Sequence, residues 1–385
     1  MSSLYGRPKN IKIPACEPHL TLQDGAAVVE AIRSTWISGI SKVVRDFEKA
    51  FAEYCGVKYG AATNSGTTSI HLALATLGVG KGDEVIIPDF TMVSTLTPII
   101  QLGARPVLVD CEMETWNINV KLIEQVITKK TKVIMPVHIY GHPCDMNEIN
   151  KIASNHNIIV LEDAAEAHGS EYWGKKAGSL GHAACFSFFA NKVITTGEGG
   201  MMVTDNKELA YRARWLGSMG FGKGRHYEHS ALGYGYRMTG LQAALGISQL
   251  ERIEDLIAKK RFNAKMYHMM LEKLEDENLI GLPIELEYAK NIYWLYSILI
   301  NPKTHSRDKI AVQLVEDYGI ESRPFFTPMH SQSFLKKCGL NLGSDDDFPC
   351  SVTIADSGLH LPSSTRLTGE NITYVCEALR KCMHA

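Results

Sequence analysis

Between Leu74 and Asp205 the chain repeats short apolar, β-branched runs: Glu84 to Pro88, Pro106 to Asp110, Lys132 to Val137 and Ile158 to Asp163. These runs do not alternate polar with apolar residues, which fits strands buried on both faces of a mostly parallel sheet. Helical periodicity falls between several of them. Thr67 to Leu77 sets Ile70, Leu74 and Leu77 on one stripe after a turn at Asn64-Ser65-Gly66, and Val120 to Ile127 precedes the next run. Strand alternating with helix predicts an α/β domain. After about residue 240 the pattern changes. Gln242 to Met270 reads as one long or two abutting helices. A strand-like Tyr293 to Ile300, a helix near Asp308 to Tyr318 and a closing helix from Gly369 to Cys382 follow. The pattern divides the chain into an N-terminal arm (1–20), a large α/β domain (21–250) and a smaller α+β domain (251–385).

Composition narrows the class. The chain has 385 residues, 45% hydrophobic and 21% charged, enough to bury a substantial core without a disulfide or metal staple. The net charge of -2 argues against a chain-wide basic surface for nucleic acid or anionic lipid. No run of about 18 apolar residues occurs, so no membrane span is expected. Met1 to Asn10 carries no apolar segment or cleavage signature, so no secretory leader is expected. Nine cysteines, with no C-x-x-C, read most simply as free thiols in a reducing cytoplasm.

Three segments carry candidate chemistry. In Thr63-Asn64-Ser65-Gly66-Thr67-Thr68-Ser69 a strand gives way to a tight turn and a helix rich in hydroxyls. Free N–H groups at a helix start form an anion site, although the segment alone equally fits an ordinary helix cap. In Leu161-Glu162-Asp163-Ala164-Ala165-Glu166-Ala167-His168, acids stand at a strand's exit, where α/β sheets bind ligands. A metal site or a solvated loop fits that spacing too. In Ser187-Phe188-Phe189-Ala190-Asn191-Lys192, followed by Thr195-Thr196-Gly197-Glu198-Gly199-Gly200, a lysine lies between an aromatic run and a glycine-rich turn. An amine in an apolar setting loses basicity and becomes a nucleophile, whereas most single lysines are surface charges.

What distinguishes this set is its order along one sheet: anion turn, acid, hydroxyl, lysine. Pyridoxal phosphate asks for those groups. Its phosphate needs N–H and hydroxyl donors, its ring nitrogen a carboxylate, its aldehyde a lysine. Other segments carry less. Gly217 to Gly224 nearly spells a P-loop but has Gly224 where a hydroxyl must bind magnesium, and reads as a loop. His138 to Cys144 matches no zinc spacing, so no metal is expected.

These segments resemble the DegT/DnrJ/EryC1/StrS family of pyridoxal-phosphate sugar aminotransferases. The similarity runs from about Ile13 to the final helix, and Ser187 to Gly200 is its most specific stretch. The resemblance implies a type I aminotransferase fold and a homodimer with active sites shared at the subunit interface. It implies that Lys192 holds the cofactor and shuttles protons. Asp163 pairs with the ring nitrogen, Glu166 lies near the ring hydroxyl, and Gly66, Thr67 and Ser187 hold the phosphate. Family dehydratases carry histidine in place of Lys192, so the lysine favours transamination over that reaction.

Two positions depart from the family pattern. Met92 stands where an aromatic residue usually stacks on the cofactor ring, with Phe90 nearby as a substitute if the loop shifts. Gly235 stands where an asparagine commonly reaches the phosphate of the neighbouring subunit. Ser34 to Ser38, Glu162 to Ala167, Glu321 to Pro324 and Pro328 to His330 look most like members that aminate C4 of a GDP-linked 4-keto-6-deoxymannose, with glutamate as donor. Such amino sugars enter O-antigen and other polysaccharides. Trp36, Arg323 and His330 are then candidate contacts to the nucleotide sugar, against a purely structural role. Another keto sugar, a small phosphorylated ketone and a cofactor-binding regulator without turnover are the competing readings.

Overall fold

The computed structural model describes residues 11–222, 224 and 227–384. Residues 1–10 of the expected arm and Lys223 of the P-loop-like run lie outside the described residues.

The apolar runs form a seven-stranded sheet. Its strands are β1 (Tyr59–Thr63), β2 (Glu84–Pro88), β3 (Arg105–Val109), β4 (Thr131–Ile134), β5 (Ile159–Asp163), β6 (Ala183–Ser187) and β7 (Gly200–Thr204), in the order β1-β7-β6-β5-β4-β2-β3. From β3 to β6 every pair is parallel, and β7 runs antiparallel to both β6 and β1. Thus β1, β2, β5 and β6 point the same way, and their carboxyl ends open on one edge. Thr63 and Ser187 both lie opposite Gly200, which brings the turn after β1 beside the end of β6. Continuous burial along β2, β6 and β7 explains why their sequences do not alternate.

Helices cover both faces. α1 (Leu22–Arg33) and α2 (Lys42–Cys55) lead into β1, α3 (Gly66–Thr76) follows it, and α4 (Val93–Gln101) follows β2. The expected long helical stretch is two helices, α5 (Gly240–Leu250) and α6 (Ile253–Asp276). Ile253, Leu256 and Ile257 of α6 pack in the large core, whereas Ala264, Tyr267 and Leu271 pack in a second core. The chain therefore crosses between the cores inside a helix. The second core lies on a four-stranded antiparallel sheet: β8 (Ile280–Gly281), β9 (Ser297–Ile300), β10 (Arg323–Pro324) and β11 (Gly358–His360), in the order β8-β9-β11-β10. Helices α7 (Arg307–Glu316) and α8 (Gly369–Met383) complete it.

Three expected elements are shorter than their patterns. The run to Val137 leaves the sheet after Ile134, ahead of Pro136, and Val137 keeps only a bridge to Asp163. The helix from Val120 ends at Ile123 and tightens to a 3₁₀ turn. The strand expected from Tyr293 begins at Ser297, because Tyr293 has φ 49° and its N–H is held by the Asn291 side chain at 2.7 Å. The described part of the arm is seated. Ile13 bridges Ile320, and Gln249 and Arg252 donate to the His19 carbonyl.

Candidate active site

The open edge of the sheet collects the candidate residues. β5 ends on Asp163, whose Oδ2 accepts a 2.7 Å hydrogen bond from the Thr95 hydroxyl of α4 and whose Oδ1 accepts one from the Ala165 N–H at 3.2 Å. Burial pushes the Asp163 carboxyl up, opposed first by the Thr95 bond. Glu166 follows on the turn after β5, also buried. Its Oε2 accepts the Tyr140 N–H at 2.8 Å, and its Oε1 lies 3.9 Å from Lys192 Nζ. Burial raises Glu166 to about 7, with the Lys192 charge opposing.

Lys192 sits on the loop between β6 and β7. The loop is closed at its base: the Thr195 hydroxyl and the Thr196 N–H both donate to the Phe188 carbonyl, and the Phe188 N–H donates to Gly199. The lysine side chain is 9% exposed, and its Nζ lies 3.5 Å from the centre of the Trp294 ring. Burial lowers its pKa, opposed by Glu166 and then Asp163. A buried amine that is easier to deprotonate, with two carboxylates beside it, suits nucleophilic attack and proton transfer.

The anion end is built from α3. Ser65 caps it with a capping box to Thr68, and helix geometry leaves the N–H groups of Gly66 and Thr67 without intrahelical acceptors. A Cβ on Gly66 would stand 2.7 Å from the Ser187 Cβ, so glycine is what lets the helix start approach β6. The Thr67 hydroxyl donates to Ser94 at 2.9 Å, joining the starts of α3 and α4. These residues fit pyridoxal phosphate. The N–H groups of Gly66 and Thr67 and the Ser187 hydroxyl could hold its phosphate, Asp163 is a buried carboxylate held by hydroxyl and N–H donors, and Lys192 lies on the loop that leaves the same edge.

The remaining candidates are placed differently. Met92 is the residue before α4, 45% exposed on the open side of the loop. Phe90 is fully buried against Tyr140, Phe325 and Phe326, so it does not substitute for Met92 at the cofactor position. Gly235 bridges Ser218, and a Cβ there would meet only the Met219 sulfur at 3.7 Å, so packing does not demand glycine. Trp36, 62% exposed, lines a groove between α1, α2 and α5 with Ile40 and Ile247, and within one chain it is not brought to Lys192. Arg323 is exposed on β10 and pairs with Glu321 at 3.5 Å. His330 is tied into the chain on both sides. Its Nδ1 is 2.8 Å from the buried Asp89 and its Nε2 is 2.8 Å from Asp345, so both nitrogens are already engaged. Among the described residues no group of three His, Cys, Asp or Glu side chains could hold a metal ion, and no helix is long and apolar enough to cross a membrane.

Sequence reasoning missed Thr95, Tyr140 and Trp294. Thr95 had a weak signal, a hydroxyl one helical turn beyond Thr91, whose own hydroxyl lies 2.9 Å away. Trp294 had none beyond the aromatic run Tyr293-Trp294-Leu295-Tyr296.

Comparison with known proteins agrees with this geometry. The model of the DegT/DnrJ/EryC1/StrS aminotransferase family matches residues 19–380. The GDP-perosamine synthase of Caulobacter vibrioides is 40% identical over 368 residues, covering 96% of this chain and 97% of that protein. The GDP-perosamine synthase of Escherichia coli O157:H7 is 40% identical over 369 residues, covering 96% and 98%. A Streptococcus pneumoniae protein solved in PLP and PMP forms superposes with a TM-score of 0.89 at 27% identity, covering 97% of this chain and 98% of that one. The chain belongs to the DegT/DnrJ/EryC1/StrS aminotransferase family, has the type I fold and is a pyridoxal-phosphate-dependent sugar aminotransferase.

Proposed function

We propose that this family member moves the amino group of glutamate to the C4 ketone of a GDP-linked 4-keto-6-deoxymannose. The observation that carries the chemistry is Lys192, set between Glu166 and the Trp294 ring with Asp163 nearby. The choice of acceptor rests on 40% identity, over 96% of the chain, to two GDP-perosamine synthases.

Pyridoxal phosphate, when bound, supplies the aldehyde that takes up an amine and the ring that accepts electrons from the substrate carbon. The chain supplies the rest. Lys192 Nζ would hold the cofactor and, when free, would carry the proton to and from the reacting carbon. Asp163 keeps a negative charge against the ring nitrogen. Thr95 aims that carboxylate through its 2.7 Å bond. Glu166, poised near neutrality, accepts or returns a proton close to Lys192. Gly66, Thr67 and Ser187 would hold the phosphate, and Met92 would cover the ring with its thioether.

A second copy of the chain completes the rim in this reading. Leu22, Ile32, Trp36 and Ile40 are exposed, and Trp36 and Ile40 line a groove of about 730 Å³ together with Ala244 and Ile247, apolar surface that a second copy would cover. Arg323, with an exposed guanidinium, is the contact proposed for the nucleotide sugar's phosphates.

The test is spectroscopic. Glutamate should bleach the visible band of the cofactor-loaded enzyme, and GDP-4-keto-6-deoxymannose should restore it with formation of an amino sugar detectable by mass spectrometry. Restoration only by another keto sugar or a phosphorylated ketone would replace the acceptor. A band that glutamate leaves untouched would remove the donor.

A further inference from the structure

We propose that Trp294 is the resting platform of Lys192: when the lysine is not bonded to the cofactor, its Nζ lies on the indole face, which keeps it beside Glu166 and ready to return. Trp294 enters the site from the segment before β9, more than a hundred residues after Lys192.

The geometry of Trp294 is held from several sides. Its N–H donates to the Tyr140 carbonyl at 2.9 Å, and its own carbonyl accepts the buried Lys260 Nζ at 2.6 Å. Its indole N–H donates to the carbonyl of Asn191, the neighbour of Lys192, at 2.8 Å. Tyr140, held at φ 51°, also donates its N–H to Glu166. A closed circuit results: Glu166, the Tyr140 backbone, Trp294, Lys192 and Glu166 again. The ring cannot turn away without breaking the bond to the loop that carries the lysine. The 3.5 Å approach of Nζ to the ring centre is well inside cation–π range, and the site is desolvated, where such contacts are strongest.

Several charged or titratable groups face Lys192. Glu166 and Asp163 favour its protonated form, as does Cys16 of the arm, while Lys260 and His168 are the neighbouring basic groups. None of them offers a hydrogen bond to Nζ among the described residues. The indole face lies nearer than the Glu166 carboxylate, 3.5 Å against 3.9 Å, and adds a preference for the ammonium that burial alone would remove.

The inference rests on Lys192 being the cofactor lysine. Its test is independent of turnover. In the full-length cofactor-free protein, the pH midpoint of Lys192 acetylation by acetic anhydride is read by peptide mass spectrometry. Trp294 is replaced by tryptophans with increasing ring fluorination, which drain the ring's negative face while keeping its shape. The midpoint should fall stepwise, by about 0.4–1.5 pH units in total for a contact of this class. A merely structural indole would leave it fixed, and an unchanged midpoint across the series overturns the proposal. Borohydride trapping of the cofactor on a lysine other than Lys192 would instead overturn the underlying reading.

Discussion

Lys192 and Lys260 are both withdrawn from solvent, yet they are built for opposite tasks. Lys260 is 4% exposed, and its Nζ donates at 2.6 Å to the Trp294 and Ser363 carbonyls, with no carboxylate paired to it among the described residues. It is a strut from α6 to the segment before β9 and the segment after β11. Lys192 is 9% exposed and makes no hydrogen bond among the described residues, lying instead 3.9 Å from a carboxylate and 3.5 Å from an indole face. Burial lowers both pKa values. What separates them is satisfaction: one amine has spent its donors on carbonyls, the other has kept them. Burial of a lysine is therefore no sign of chemistry by itself. A buried amine left free of acceptors beside carboxylates is such a sign.

The strongest way to break the comparison is Lys192→Arg. Arginine keeps the charge but cannot form the covalent link, so turnover should vanish while the fold, followed by circular dichroism, persists. Asp163→Asn removes the buried anion that the proposed mechanism sets against the ring nitrogen. Losing one partner of a buried charged pair costs about 3–5 kcal/mol, so the rate should fall roughly a hundred- to several-thousand-fold in steady-state kinetics. Lys260→Met should act on stability instead. It strips two buried carbonyls of their donor, at about 1–3 kcal/mol in urea denaturation, with the cofactor still trapped on Lys192.

Glu166→Gln gives the smallest and most pH-dependent effect. Burial holds Glu166 at about 7 in the folded state, above its ordinary 4.5. Between those values the folded chain binds a proton that the unfolded chain releases, so stability falls as pH rises through the window. The variant removes that penalty. It should be more stable than the parent at pH 8, and the difference should vanish near pH 4. Its rate profile should also lose the inflection near neutrality.

How far the site was legible follows from where its residues sit. Asp163, Ser187 and Lys192 lie at or just beyond parallel strand ends, and strand ends can be read from apolar runs bounded by turns. Gly66 could be read from the same logic. Trp294 could not, because its place depends on contacts with Lys260 of α6 and Tyr140 of the large core, which lie far from it in sequence and exist only in the folded chain. The partners of His330 were hidden for a related reason. A histidine near a loop end looks available until Asp89, buried at the end of β2, is seen to hold it. The helix and strand pattern carried the large sheet almost whole. It overran at Val137, Ile127 and Tyr293, where a proline, a 3₁₀ turn and a positive φ ended elements that hydrophobicity alone would continue.

The central claim is that chemistry resides on Lys192 and not on the other buried lysine. The most direct test loads the full-length protein with pyridoxal phosphate, reduces it with borohydride and maps the added mass by peptide sequencing. The account predicts the label on Lys192 alone. Label on Lys260, or an unmodified Lys192 peptide, would contradict it.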